Sequence, residues 1–158
     1  IRMHDVPYDD IETISRYFGE NWSGWGKERV VTANDIRTFA DLTDNHQWIH
    51  EDEVRCEKES PYGKLIAHGV LLVSLIPSLL PPEGFRIVNN KVRIVRGFDR
   101  LRLPSPVFPE ESIHVRVRGL RAYPASSGKG TVIEREVELW SLQGKKPAVA
   151  GILKLQYF

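Results

Sequence analysis

Residues 44–50 read Asp-Asn-His-Gln-Trp-Ile-His, and after a further stretch of chain comes the pair His68-Gly69. Four side chains in these two motifs can donate or accept protons: Asp44, His46, His50 and His68. Of these, His50 carries the most chemistry. Imidazole is both acid and base near neutral pH without help. His50 follows Trp48 and Ile49, whose partial burial of the turn would tune it. Ile66-Ala67-His68-Gly69 then opens an apolar segment. The first amides of a helix have no intrahelical acceptor and suit a developing oxyanion. Gly69, lacking a Cβ, lets a carbonyl group approach its backbone closely. The combination points to proton transfer beside a polarised carbonyl. A structural histidine beside a tryptophan is the competing reading.

Patterning supplies the elements that must position these groups. Ile11, Ile14 and Phe18 fall on one helical face, with Asp9 or Asp10 as cap and Gly19 as terminator, so a short helix is expected over 9–18. The loop NWSGWGKE leads to a brief strand at Arg29–Val31. Thr32 with Asp35 resembles a capping box, and Ile36, Phe39 and Ala40 continue an amphipathic helix that ends near Thr43. The segment 51–64 is charged and then turn-like, which places it at the surface. LIAHGVLLVSLIPSLLP, residues 65–81, reads as a helix over 67–80 buried on most sides, with Pro77 kinking it or opening its last turn.

Beyond residue 84 the period changes to two. Segments 92–95, 113–118, 131–140 and 148–158 read as strands, with Ile113, Val115 and Val117 facing one way and His114, Arg116 and Arg118 the other. SSGKG at 126–130 is a hairpin turn; the spacing of a phosphate loop is missing and no helix follows. The whole span 1–158 is expected to be one α+β domain. Its antiparallel sheet would curl around one long buried helix, the arrangement known as the hot-dog fold.

The 158 residues carry 22 basic and 21 acidic side chains, a net charge of +1. That balance leaves no electrostatic footprint for nucleic acid or an anionic membrane. The apolar run 65–81 is too short and interrupted to span a bilayer, which takes about 20 apolar residues. Cys56 is the only cysteine, so neither a disulfide nor a cysteine-based zinc site can form within one chain. An incidental free thiol is the expectation. With a polar, acidic start to the printed chain, so is a cytoplasmic location.

DNHQWIH, SPYGKLIAHGVLLVSLIP and GFDRLRLPSPV together resemble the MaoC-like dehydratases, also called type 2 or (R)-specific enoyl-CoA hydratases, over roughly residues 10–157. The resemblance implies a hot-dog homodimer in fatty acid metabolism. It implies reversible hydration of trans-2-enoyl thioesters to (R)-3-hydroxyacyl thioesters, with CoA or acyl carrier protein as the thioester's carrier. No metal and no redox cofactor is implied. The family pairs an Asp with a His five residues later to activate water, while the amide of the Gly in the HG element polarises the thioester carbonyl. His50 and Gly69 match the His and the Gly. Asn45 stands where the family has Asp.

That departure matters because a carboxylate can take a proton from water and a carboxamide cannot. Either His50 is the only base, or Asp44 swings in, or the site binds acyl thioesters with little turnover. A hot-dog thioesterase is the rival enzyme. His46 is expected to face solvent or bond to backbone, and His68 to stand at the helix start and help fix the loop. Gln47 and Trp48 would build the turn and pack it against that helix. Lys91, Arg93, Arg96, Arg100 and Arg102 form either a solvated strand face or a cluster for the phosphates of CoA or for an acidic carrier protein.

Overall fold

Alternation of apolar and polar residues becomes a sheet in the computed structural model, which describes residues 3–158. Five strands form it: β2 (Arg29–Val31), β4 (Arg93–Arg102), β5 (Glu111–Pro124), β6 (Thr131–Ser141) and β7 (Val149–Tyr157), in the spatial order β2-β5-β6-β7-β4. Every pairing within it is antiparallel. A separate parallel pair joins β1 (His4–Pro7) to β3 (Phe85–Val88), which the sequence pattern did not disclose. The Ser126–Lys129 turn links β5 to β6 as expected, with Gly128 and Gly130 at φ +75° and +79°. Gly backbones adopt such left-handed angles without a Cβ penalty.

Register puts Val115 opposite Leu139 and Val117 opposite Val137, so one face of β5 and β6 is apolar core except at Arg135. The other face is a ladder of charge: Arg116 pairs with Glu138, Arg118 with Glu136 and Arg121 with Glu134. Opposite charges directly across a sheet are favourable, though modest where water reaches them. The NWSGWGKE loop runs along β5 through Ser23 N–H to the Val117 carbonyl (2.7 Å) and Gly26 N–H to the Val115 carbonyl (2.8 Å). Trp25 then stacks on His114, and the Arg116 guanidinium lies over Trp22.

Helices close the core face. They are α1 (Ile11–Arg16), α2 (Ala33–Thr43), α3 (Glu53–Glu59) and α4 (Gly69–Leu75). Helix α4 is shorter than the expected 67–80. Ala67 donates its N–H to the Val107 carbonyl and His68 has extended backbone, which delays the start; a 3-10 turn at Ile76–Ser78, built on Pro77, replaces the end. Leu72, Ile76 and Leu79 are buried with Val115, Val117, Leu153 and Leu155. The opposite side is open, with Val70 63% exposed, so the helix is buried on one side instead of most sides. The arrangement is the hot-dog fold, an antiparallel sheet holding a central helix.

The charged segment 51–64 is also not all turn. Asp52 caps α3 by accepting from the Arg55 amide, and Cys56 on its inner face is fully buried. The first strand of the basic stretch is longer than residues 92–95 and runs to Arg102.

One charge lies on the core face of β6. Arg135, between Ile133 and Val137, is 4% exposed and is held by Glu83 at 2.9 Å and by the Tyr157 hydroxyl at 3.2 Å. Removing one partner of a buried pair leaves the other charge unpaired, at a cost of about 3–5 kcal/mol. Urea unfolding of Glu83→Ala is therefore expected to show a loss of about 3 kcal/mol; a loss near zero would mean that water reaches Arg135.

Candidate active site

Helix α2 delivers the first motif. Its predicted capping box is present: Thr32 Oγ1 accepts from the Asp35 amide and Asp35 accepts from the Thr32 amide, both at 3.0 Å. The helix ends at Asp44, whose left-handed backbone (φ 51°) turns the chain sharply. That turn aims the Asp44 side chain into solvent, where it is 99% exposed. The carboxylate that could have replaced the missing acid is thus in solvent, its nearest basic neighbour being His46 Nε2 at 3.8 Å. Asn45 follows, half-buried, its amide bonded to the Ala40 carbonyl at 3.0 Å.

A 3-10 turn over Trp48–His50 then presents His50. Its Nδ1 lies 2.8 Å from the Ile66 carbonyl oxygen. A carbonyl only accepts, so Nδ1 carries the proton and Nε2 is left with its lone pair, the form a general base needs. The backbone supporting this contact is tied as well, with the Ile66 amide donating to the Ile49 carbonyl at 3.1 Å.

His68, one residue before α4, is 2% exposed. Its Nε2 lies 3.2 Å from the Asn45 carbonyl oxygen, and its ring stacks on that of His50 with centroids 3.8 Å apart and planes 26° from parallel. Phe39 packs beside it at 5.0 Å. Burial pushes the His68 pKa below its ordinary value; the Asn45 carbonyl opposes this and the neighbouring His50 adds to it. Nδ1 of His68 is buried and finds no protein partner among the described residues. The sequence placed His68 at the helix start as a residue that helps fix the loop, and its bond to Asn45 agrees. The structure makes it the link between the Asn45 turn and His50.

Gly69 is the first residue of α4. A Cβ there would meet Leu103 Cδ1 at 2.6 Å. The close approach is to the end of a half-exposed leucine side chain, which would have to shift for a larger residue to fit, a contact that the sequence motif alone did not reveal. His68 links the three residues along the chain and in space: it bonds the Asn45 carbonyl, stacks on His50 and precedes Gly69, but of the three only His50 lines the cleft.

His50 opens onto a cleft of about 740 Å³, lined also by Ile36, Trp48, Val54, Leu65 and Pro109. None of the basic residues 91–102 lines it. His46 lies on its rim, bonded to the Glu51 carboxylate at 2.6 Å, which holds its pKa above the usual value. Trp48 is covered by the Arg55 guanidinium, 4.3 Å above its ring.

The fold is shared with solved structures. The monoamine oxidase regulatory protein from Archaeoglobus fulgius superposes with a TM-score of 0.73 at 22% identity, covering 99% of this chain and 98% of that one. The (R)-hydratase from A. caviae involved in PHA biosynthesis gives 0.63 at 21% identity, covering 85% and 96%. These likenesses define a hot-dog protein. A family model described as the MaoC like domain matches residues 24–137, and the chain belongs to that family. Nodulation protein N of Rhizobium meliloti (strain 1021) is 35% identical over 115 residues, 72% of this chain and 68% of that protein. The 3-hydroxyacyl-thioester dehydratase Z of Mycobacterium tuberculosis is 36% identical over 78 residues, so the match spans half of that protein's length (50%) and 49% of this chain.

The depressed His68 pKa has a consequence for stability. At high pH the group is neutral whether folded or unfolded. As pH falls below about 6.5, the unfolded chain takes up the proton first, so the folded state loses stability until the folded pKa is passed. Urea midpoints measured from pH 8 to pH 5 are expected to fall in the parent and to fall less in His68→Phe. Parallel profiles would show that His68 titrates normally.

Proposed function

We propose that the chain is a hydro-lyase that reversibly hydrates trans-2-enoyl thioesters to (R)-3-hydroxyacyl thioesters. The observation that carries this reading is His50: Nδ1–H is tied to a backbone carbonyl, which leaves Nε2 free to take a proton, and the ring stacks on His68, whose own Nε2 bonds the Asn45 carbonyl. Membership of the MaoC like domain family supports it, as do the names of the mycobacterial dehydratase and the A. caviae hydratase.

The steps follow from the chemistry of these groups. A water sits between the Asn45 carboxamide oxygen and His50 Nε2. His50 takes a proton from it as the water oxygen bonds C3 of the enoyl group. The displaced electron pair moves through C2 to the thioester oxygen, which faces the Gly69 amide at the start of α4. His50 then returns its proton to C2, leaving OH on C3 and H on C2. One water is consumed, and neither metal nor redox cofactor takes part.

With Asn45 in place of a carboxylate and Asp44 pointing outward, His50 is the sole base in this scheme. The turnover is correspondingly slow, and acyl-thioester binding with weak turnover is the second reading that Asn45 favours. CoA or acyl carrier protein carries the substrate. A second copy of the chain is the proposed partner: β4 ends the sheet and leaves Val95 and Leu101 exposed at 42%.

Crotonyl-CoA tests the reading directly. Loss of the enoyl-thioester absorbance without release of free thiol is expected; thiol release instead would mean thioester hydrolysis, and neither change would leave binding alone. His50→Ala is expected to abolish the absorbance change, and an unchanged rate would remove His50 from the chemistry. Asn45→Asp restores an acid–base group of a kind that contributes ~10²–10⁴-fold. Its rate is expected to rise toward that range, and no gain in a folded variant would count against the water site as drawn.

A further inference from the structure

His68 is the buried titratable group that this mechanism leaves unused. It is 2% exposed, yet both its ring face and its Nε2 are committed to the two residues proposed to share the water. We propose that His68 is a positioning residue for that reaction: its Nε2–H clamps the Asn45 carbonyl while its ring backs the His50 imidazole, so that Asn45 and His50 keep one relative placement. The inference rests on the hydratase reading for its kinetic consequence, but its geometry stands apart from it.

The clamp follows from hydrogen-bond chemistry. A carbonyl oxygen has no proton to give, so Nε2 of His68 must carry one. Nδ1 then holds a lone pair and faces no protein acceptor among the described residues, so a second proton there would have no partner. His68 therefore stays neutral beside His50. That matters because His50 must itself become an imidazolium in each cycle. Two charged rings with centroids 3.8 Å apart would repel, whereas a neutral aromatic face beside a cation is compatible. The charged and titratable groups near His68 are His50, His46 and Glu51, the last opposing the effect of the two histidines.

Three ties thus converge on one loop junction. Asn45 is held by His68, His50 is held by the Ile66 carbonyl and the His68 ring, and His68 is wedged beside Phe39. Neither Asn45 nor His50 can shift without disturbing the same imidazole. Misplacement of a reacting group by about 1 Å can cost ~10²-fold in rate.

Two variants separate the two contacts. His68→Gln keeps an N–H donor at the reach of Nε2 and loses the ring; His68→Phe keeps a ring and loses the donor. With crotonyl-CoA, each is expected to lower kcat by about tenfold or more while KM stays within about threefold. A fall of less than twofold in both, with the thermal midpoint retained, overturns the proposal. The second arm does not depend on turnover. Histidine 15N spectra of the parent are expected to show His68 as the Nε2–H tautomer and His50 as the Nδ1–H tautomer, and His50 is expected to become a mixture of tautomers in His68→Gln. An Nδ1–H tautomer for His68 in the parent, or an unchanged His50 tautomer in the folded variant, overturns the proposal even if kcat falls. If the parent shows no hydration at all, the hydratase reading fails while the spectra still decide whether His68 holds the pair.

Discussion

The chain between Leu65 and Gly69 is where the site is decided. In it, the Ile66 amide bonds the Ile49 carbonyl, the Ile66 carbonyl receives His50, and the Ala67 amide bonds Val107. Buried backbone groups must find partners, so this extended segment cannot be moved without orphaning several of them at once. Helix α4 begins only after these bonds are made. The same constraint that shortens the helix therefore orients the His50 imidazole and sets the Gly69 amide at the helix start.

Around that junction the molecule divides its charges by role. On the outer sheet face, Arg–Glu pairs run across β5 and β6, where each contributes little on its own. On the core face there is one ion pair, Arg135 with Glu83, where the cost of separating the partners is large. Near His50, by contrast, burial holds the His68 pKa below its ordinary value and the Asp44 carboxylate is fully exposed. His46 and Glu51 hold one another at the cleft rim.

Much of the fold was legible because its signals are local. The alternation in Ile113, Val115 and Val117, the Thr32–Asp35 cap and the Ser126–Lys129 turn each depend on neighbours in sequence, and each appears as read. The limits of α4 were misread because they are tertiary: nothing in LIAHGVLL shows that Ala67 will bond Val107, 40 positions later in the numbering. Helix α3 was hidden by its own charge, since seven residues with one buried side chain give almost no apolar period. For the candidate site, the residues themselves nominated His50 and Gly69, and the family resemblance added Asn45. Neither could find the ring stack between His50 and His68, which joins two loops, or Leu103 lying over Gly69. The left-handed backbone of Asp44, φ 51°, which accompanies its exposure, is also something no residue pattern encodes unambiguously.

Cys56 gives the molecule a built-in clock. It is the single cysteine of the chain and is fully buried in α3, its thiol 3.7 Å from the Trp48 carbonyl and 3.6 Å from that of Ile49. Burial raises its pKa, so the thiol is slow to react while α3 is seated. Alkylation requires α3 to lift from the turn that carries His50, and the rate of labelling therefore counts how often that wall of the cleft comes away.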